Sequence, residues 1–384
     1  MRLFSSGQCE KDGQRIRRLL RKWPRKNPHF SLINLANLTR VMKVLNKSNC
    51  KKFLDLAVKR TAKYIKDNRL AGISLGISGG IDSAIIAVIG LKALEKLKEE
   101  NYQTGYDYMF LDCDSDPYDY QGAKVLSEKF NFKLRYVDLN KWYRASPLLK
   151  SIPKNHPREK ISQGNIKSRL RMITIYNSTS INNYICLDSG DLSEKWMGFW
   201  TRYGDEGDAK LIAHITKTEV YDIGEFLGIP LSILESKPAD GLKVTEGSLA
   251  EHQLGLDYLY IDYIMNRFIG ESFDYNGSLD QLKLQKYKSL ISKVAKEINQ
   301  SSLKIKDILT RSLKTAYKRK YGDNVYHLLS YRREFGFPEV GTEEFNQKYL
   351  KAIWTDPVTP FPPADARCRT ARRREPFQAC HPSL

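Results

Sequence analysis

The chain has 384 residues, 41% hydrophobic and 28% charged, enough for one large α/β domain with extensions or for two domains. No run of about 18 apolar residues occurs, and Met1–Leu20 carries no apolar signal core, so the sequence predicts neither a membrane span nor secretion. Cysteines 9, 50, 113, 186, 368 and 380 show no CxxC spacing and read as reduced thiols in a cytoplasmic protein, while the net charge of +19 raises nucleic acid as a partner.

That charge is unevenly placed. Residues 1–41 hold ten Lys and Arg against Glu10 and Asp12, and residues 355–384 hold five Arg against Asp356, Asp365 and Glu375. The middle keeps a moderate excess, which suits phosphate-bearing substrates without demanding a polyanion. Residues 1–41 read as a basic extension, not native to a domain that starts at Met42; a nucleic-acid-binding arm is the rival reading. From Met42 an amphipathic helical pattern runs through Phe53, Leu54, Leu56, Ala57, Ala62 and Ile65.

A regular alternation follows: strand 73–77, helix 83–99, strand Tyr106–Leu111, helix Asp119–Phe130 and strand Leu134–Leu139. Residues 144–163, with Pro147, Pro153 and Pro157, read as an irregular, mobile segment near a site. Helix 164–177 comes next, then strand Tyr184–Leu187 and the loop Asp188–Glu194. Helix Thr218–Leu227 stops at Gly228-Ile229-Pro230. A loop covers 236–250, and three helices cover Glu251–Phe268, 279–300 and Leu303–Lys320. Beyond Trp354 the composition turns Pro-, Ala- and Arg-rich, and 355–384 reads as a disordered, non-native tail. The predicted domains are therefore 1–41, a main domain 42–330, a C-terminal extension 331–354 and the tail. Repeated strand–helix units imply an α/β fold: a doubly wound parallel sheet flanked by helices, its ligand at the carboxyl ends of the strands and further helices added at the C-terminal side.

The stretch that organises the chain is Ser78-Gly79-Gly80-Ile81-Asp82-Ser83. It follows an apolar strand and opens a helix, so small residues and unpaired N–H groups meet where an anion belongs. A carboxylate at Asp82 repels phosphate unless a divalent cation lies between them, which points to nucleotide phosphate plus magnesium. A capped strand-to-helix turn is the alternative for this stretch taken alone. Four more patches accompany it: Gly164–Met172 (GNIKSRLRM), Asp188–Glu194 (DSGDLSE), Gly198–Asp208 (GFWTRYGDEGD) with Lys217 beyond, and Lys318-Arg319. Arg169 and Arg171, two apart on a helix, splay to different sides, so that one faces a ligand and the other binds structure.

These motifs, with ITKTEVYDIGEFLGIP, KPADGL, EHQLGLDYLYID and KTAYKR in the same order, resemble the NAD synthetase family, ammonia-dependent enzymes of the N-type ATP pyrophosphatase (PP-loop) fold, over about residues 42–330. The resemblance implies that Gly76, Ser78, Gly79, Gly80, Asp82 and Ser83 hold the phosphates of ATP, and that Ser189 and Lys217 contact ATP. It implies that Asp82 and Glu194 ligate Mg2+, with Asp82, Glu194 and Lys217 catalytic. It implies that Arg169, Arg202, Asp208, Tyr317 and Lys318 line a deamido-NAD site lying partly across a homodimer interface. The implied reaction is amidation of deamido-NAD through an acyl-adenylate, with ammonia as nitrogen donor. Only about 75 residues precede the PP-loop, too few for a glutaminase, so a separate subunit would supply any glutamine-derived ammonia. The chain departs from the family pattern at Ser189-Gly190-Asp191, Arg202, Pro238, Ala250-Glu251 and Tyr317, which bears on the acceptor more than on ATP. The rival readings are a PP-loop amidotransferase acting on another carboxylate or a sugar, a tRNA-modifying ligase and a non-catalytic nucleotide sensor. GNIKSRLRM and YGDEGD argue against the tRNA ligase, and the intact Asp82–Glu194 pair argues against the sensor.

Overall fold

A computed structural model describes residues 43–239, 241–244, 249–319, 326–327 and 332–355. The readings made for residues 1–42 and 356–384 lie outside them. The chain opens with helix α1 (Lys47–Asp67) and then alternates β1 (Gly72–Gly76), α2 (Ile81–Glu99), β2 (Gly105–Asp112), α3 (Pro117–Lys129) and β3 (Leu134–Asp138). A long helix α4 (Glu159–Asn182) leads to β4 (Tyr184–Asp188), the short helix α5 (Leu192–Met197), β5 (Ala209–Lys210) and α6 (Lys217–Leu227). Helices α7 (Tyr258–Gly270), α8 (Gln285–Glu297) and α9 (Ser302–Lys314), strand β6 (Tyr326–His327) and α10 (Glu343–Thr355) complete it.

The strands form one sheet in the order β3-β2-β1-β4-β5-β6, with every neighbour parallel. Successive side chains alternate between its faces. Ile73, Leu75, Tyr108, Phe110, Ile185 and Leu187 join the main core with α1, α2, α6 and α7. Met109, Leu111 and Cys186 point the other way and pack with Ile175 of α4 and with Tyr143. Gly76 belongs to this second face: a Cβ there would sit 3.0 Å from the Ile175 side chain, so the glycine lets α4 lie close on the sheet. The doubly wound architecture is as expected. Its order reverses between β1 and β4, and that switch point places the loop after β1 beside the loop after β4.

Several local expectations are corrected. Residues 144–163 are not irregular throughout: turns of helix occupy Asn140–Ala145 and Pro147–Lys150, and α4 begins at Glu159, five residues before the expected start. The helix expected over Glu251–Phe268 breaks at Gly255 (φ +89°) into Ala250–Leu254 and α7, because the backbone there turns left-handed. A 3-10 turn, Leu279–Lys283, precedes α8 where one helix was expected. Strands β5 and β6 were not foreseen; two residues each carry no alternation to read.

The described residues 332–355, which cover most of the 331–354 expected as a C-terminal extension, pack into the main core through Phe335, Phe345, Tyr349 and Ile353. They also grip α6. The buried Arg332 guanidinium forms an ion pair with Glu219, which is itself the capping-box partner of Thr216, and donates to the His214 carbonyl at 2.7 Å. The Tyr349 hydroxyl shares a hydrogen bond with the Thr216 hydroxyl. Nearer the middle of α6, Asp222 accepts the backbone N–H groups of Lys43, Val44 and Leu45 at 2.8 Å each.

Candidate active site

Strand β1 delivers Ser78–Gly80 to the start of α2. The Ser83 hydroxyl accepts the Ser78 N–H at 3.1 Å, lies 3.0 Å from the Ser78 hydroxyl, and donates to the Gly80 carbonyl at 3.2 Å. The two serines thus fix the curl of the loop. No side chain caps α2, whose N-cap is Gly80, so the positive end of the helix faces outward as an anion site requires. Gly79 (φ +86°) lies against α3: a methyl group there would overlap the Asp119 carbonyl, and one at Gly122 would come within 2.8 Å of the Gly79 carbonyl. Gly79→Ala is therefore expected to cost at least about 2 kcal/mol in urea denaturation and to weaken ATP binding.

Beside this loop, Lys217 opens α6. Its side chain is 2% exposed, and its Nζ lies 2.8 Å from Asp82 Oδ2, 2.7 Å from Asp191 Oδ2 and 2.8 Å from Glu194 Oε1. The Tyr258 ring sits below it, its centroid 5.4 Å from the ammonium. Burial pulls the lysine pKa down, but the attraction of Asp191, Asp82 and Glu194 outweighs it and holds the ammonium well above its ordinary range. The carboxylates move the other way. Burial and the Glu194 charge push Asp191 well up, against the pull of Lys217. Burial lifts Glu194 to about 7 although Lys217 opposes it.

Asp191 was missed as a site residue. The signal was present in Asp191-Leu-Ser-Glu194, a capping box: Asp191 accepts the Glu194 N–H at 2.8 Å while Glu194 reaches back to the Asp191 N–H. That motif fixes the two carboxylates side by side. With Asp82 they offer oxygen ligands lying within 4.8 Å of one another. Three carboxylates face one ammonium, and Asp82 Oδ1 is buried without a hydrogen-bond partner, so the donor set fits a hard divalent cation.

The surrounding cleft, about 3450 Å3, is lined by Gly76, Ser78, Gly79, Gly80, Asp82, Ser189, Glu194, Lys217, Tyr317 and Lys318 among the expected residues. Ser83 is buried beneath the loop it shapes. Arg169, Arg202 and Asp208 do not line the cleft. Arg169 instead donates to the Arg202 carbonyl, and the Arg202 guanidinium lies over the Tyr203 ring. Asp208 accepts the Tyr176 hydroxyl and the Cys186 N–H, each at 2.9 Å, under the sheet. Their neighbours face the cleft. Arg171 lines it while donating to the Leu111 carbonyl and the Ser115 hydroxyl, and Asp205 lines it while accepting from the Ser168 hydroxyl and the Thr201 N–H.

At the far wall, Lys318 donates to the Gly198 and Trp200 carbonyls and stands over the Trp200 ring. Burial, with the Arg311 charge nearby, lowers it to about 8. Arg319, paired with Lys318 in the sequence patch, is structural: it binds the carbonyls of Lys195, Trp196, Tyr275 and Ser312 and so fixes the end of α5.

A glycine-rich loop with an uncapped helix start at the switch point of a doubly wound sheet, next to a carboxylate cluster centred on a buried lysine, is the arrangement of an α/β enzyme site. The particular family follows from comparison: a model of the family described as NAD synthase matches residues 54–322. The chain is 39% identical over 201 residues to an NH(3)-dependent NAD(+) synthetase of Syntrophomonas wolfei, covering 52% of this chain and 77% of that one. It is 33% identical over 203 residues to one of Carboxydothermus hydrogenoformans, covering 52% and 79%. Among solved structures, an NMN synthetase from Francisella tularensis aligns with TM-score 0.52 at 22% identity, covering 70% of this chain and 95% of that one, which reports on the fold. The chain belongs to the NAD synthase family.

Proposed function

We propose that this chain is an ammonia-dependent NAD synthetase that converts deamido-NAD to NAD with ATP, releasing AMP and pyrophosphate. The observation that carries this reading is the buried Lys217 among Asp82, Asp191 and Glu194 beside a phosphate loop, in a chain of this family. A carboxylate is a poor acyl donor because its leaving group is oxide. The nicotinate carboxylate oxygen attacks the α-phosphorus of ATP, pyrophosphate leaves, and ammonia then attacks the acyl carbon and displaces AMP.

Ser78–Ser83 and the N-terminus of α2 hold the ATP phosphates, with Ser189 on the adjoining loop. Lys217 places a fixed positive charge where negative charge grows as pyrophosphate departs, in a buried setting where it acts strongly. Magnesium, held by Asp82, Glu194 and Asp191, would supply charge neutralisation on the same phosphates. Lys318 and Tyr317 at the opposite wall of the cleft receive deamido-NAD. Arg169, Arg202 and Asp208 act on deamido-NAD only if the site extends past this cleft. Exposed Ile173 and Ile181 on α4, with exposed Tyr203 nearby, support a homodimer that would extend it. The buried free thiols Cys50, Cys113 and Cys186 support a cytoplasmic setting. Ammonia is the nitrogen donor, either free or delivered by a separate glutaminase subunit.

The test is direct. Protein incubated with ATP, magnesium, ammonium and deamido-NAD is expected to form NAD, AMP and pyrophosphate. Pyrophosphate exchange that ignores deamido-NAD, in a panel containing other carboxylates, would replace the substrate assignment.

A pH dependence also follows. Lys318, at about 8 against 10.5 for an ordinary lysine, loses its charge as pH rises through 8. The dinucleotide is anionic, so its KM is expected to rise between pH 7.5 and 9, roughly tenfold per unit above the pKa at most. Lys318→Arg should move that rise to higher pH. Folding stability has the opposite sign: the unfolded chain keeps this proton up to its higher pKa, so this group's contribution improves from pH 8 towards 10.5.

A further inference from the structure

Asp262 lies on α7, outside the cleft lining, fully buried, and no step above uses it. Its two oxygens tie together the starts of both elements that carry the reacting charges. One oxygen accepts the Ser193 hydroxyl, and that hydroxyl oxygen in turn accepts the backbone N–H of Lys217 at 2.8 Å. The other accepts the Thr218 hydroxyl at 2.7 Å and the Thr218 N–H at 3.2 Å. Ser193 immediately precedes Glu194 on α5, and Thr218 immediately follows Lys217 on α6. Glu194 and Lys217 are 23 residues apart in the chain, so their 2.8 Å contact depends on how α5 and α6 dock.

We propose that Asp262 is a positioning residue for the adenylation step, holding the Lys217 ammonium and the Glu194 carboxylate in register. It acts through Ser193 and Thr218 and touches no substrate. The physical reason for an anion is that the start of α6 presents N–H groups and a positive dipole end, while the Ser193 hydroxyl of α5 donates from the other side. One carboxylate accepts three hydrogen bonds directly, from the Ser193 hydroxyl and from the Thr218 hydroxyl and N–H, whereas an amide of the same shape accepts on one oxygen only and turns its NH2 towards either Ser193 or Thr218, whose groups already donate. The inference rests on the adenylation reading above.

The experiment measures deamido-NAD-dependent ATP–pyrophosphate exchange, urea denaturation and the separate KM values for full-length wild type and variants. Asp262→Asn is expected to lower kcat about tenfold to a hundredfold and to raise KM for ATP, with KM for deamido-NAD unchanged. Asn266→Ala is the matched control. Asn266 lies one turn along on α7, equally buried, and bonds Asn346 and the Gly341 N–H, away from the cleft. It should lose comparable stability while keeping turnover per folded molecule.

Thr218→Ser keeps the hydroxyl and should stay within about twofold of wild type, whereas Thr218→Val removes it at similar volume and should fall about tenfold. If Asp262→Asn does not fold, that pair alone decides. Equal turnover in Thr218→Ser and Thr218→Val, or an Asp262→Asn that behaves as Asn266→Ala, overturns the inference. A wild type inert towards deamido-NAD overturns the adenylation reading instead.

Discussion

Lys217→Met is expected to lower deamido-NAD-dependent pyrophosphate release by about a thousandfold, because it removes a preorganised charge from a water-poor site. It should also damage the fold. With the ammonium gone, Asp82, Asp191 and Glu194 face one another with no cation between them, and breaking a buried charge cluster of this kind costs about 3–5 kcal/mol. Urea denaturation with chelator should show that loss, and millimolar magnesium should restore part of it, since a divalent ion suits the three carboxylates that remain. Turnover above a tenth of wild type would remove Lys217 from the chemistry.

Asp82→Asn and Glu194→Gln are expected to lower turnover by about a hundredfold or more and to weaken magnesium binding, read by calorimetry with the metal alone. Their effect on folding is opposite in sign to that of Lys217→Met. Each removes one of three like charges and leaves Lys217 two partners, so metal-free stability should hold or rise. The contrast separates a metal-and-phosphate site from a structural ion-pair cluster: in the latter, all three substitutions would destabilise and none would change metal affinity. Equal losses of stability across the three would favour that second account.

The sequence made the glycine-rich loop and the helix start behind it legible because their pattern is local. Strand, small residues, Asp82 and helix start follow one another within about a dozen positions. Parallel strands flanked by helices were legible for the same reason, as periodicity is a property of neighbours. What the sequence left open was relational. Helical spacing shows that Arg169 and Arg171 diverge, but not which of them meets the cleft; the docking of α4 on Met109 and Leu111 decides that, and it chose Arg171. Asp205 and Asp208 differ in role through the fold of a turn held by Thr201 and Ser168, which no spacing rule encodes. Asp191 was hidden by its substitution into a familiar loop pattern, although its capping box with Glu194 was readable. The prolines of 144–163 suggested irregularity, yet Pro147 sits in the first turn of a short helix, where its missing N–H costs nothing.

The grip of residues 332–355 on the start of α6 bears on when, during synthesis, the enzyme becomes competent. Thr216 and Glu219 flank Lys217, and their partners Tyr349 and Arg332 lie more than a hundred residues further along the chain. A nascent chain that has emerged only as far as α9 already owns every proposed ATP ligand, but the turn bearing its lysine lacks its last two anchors. The turn that carries Lys217 is therefore completed only once residues 332–355 have joined the start of α6.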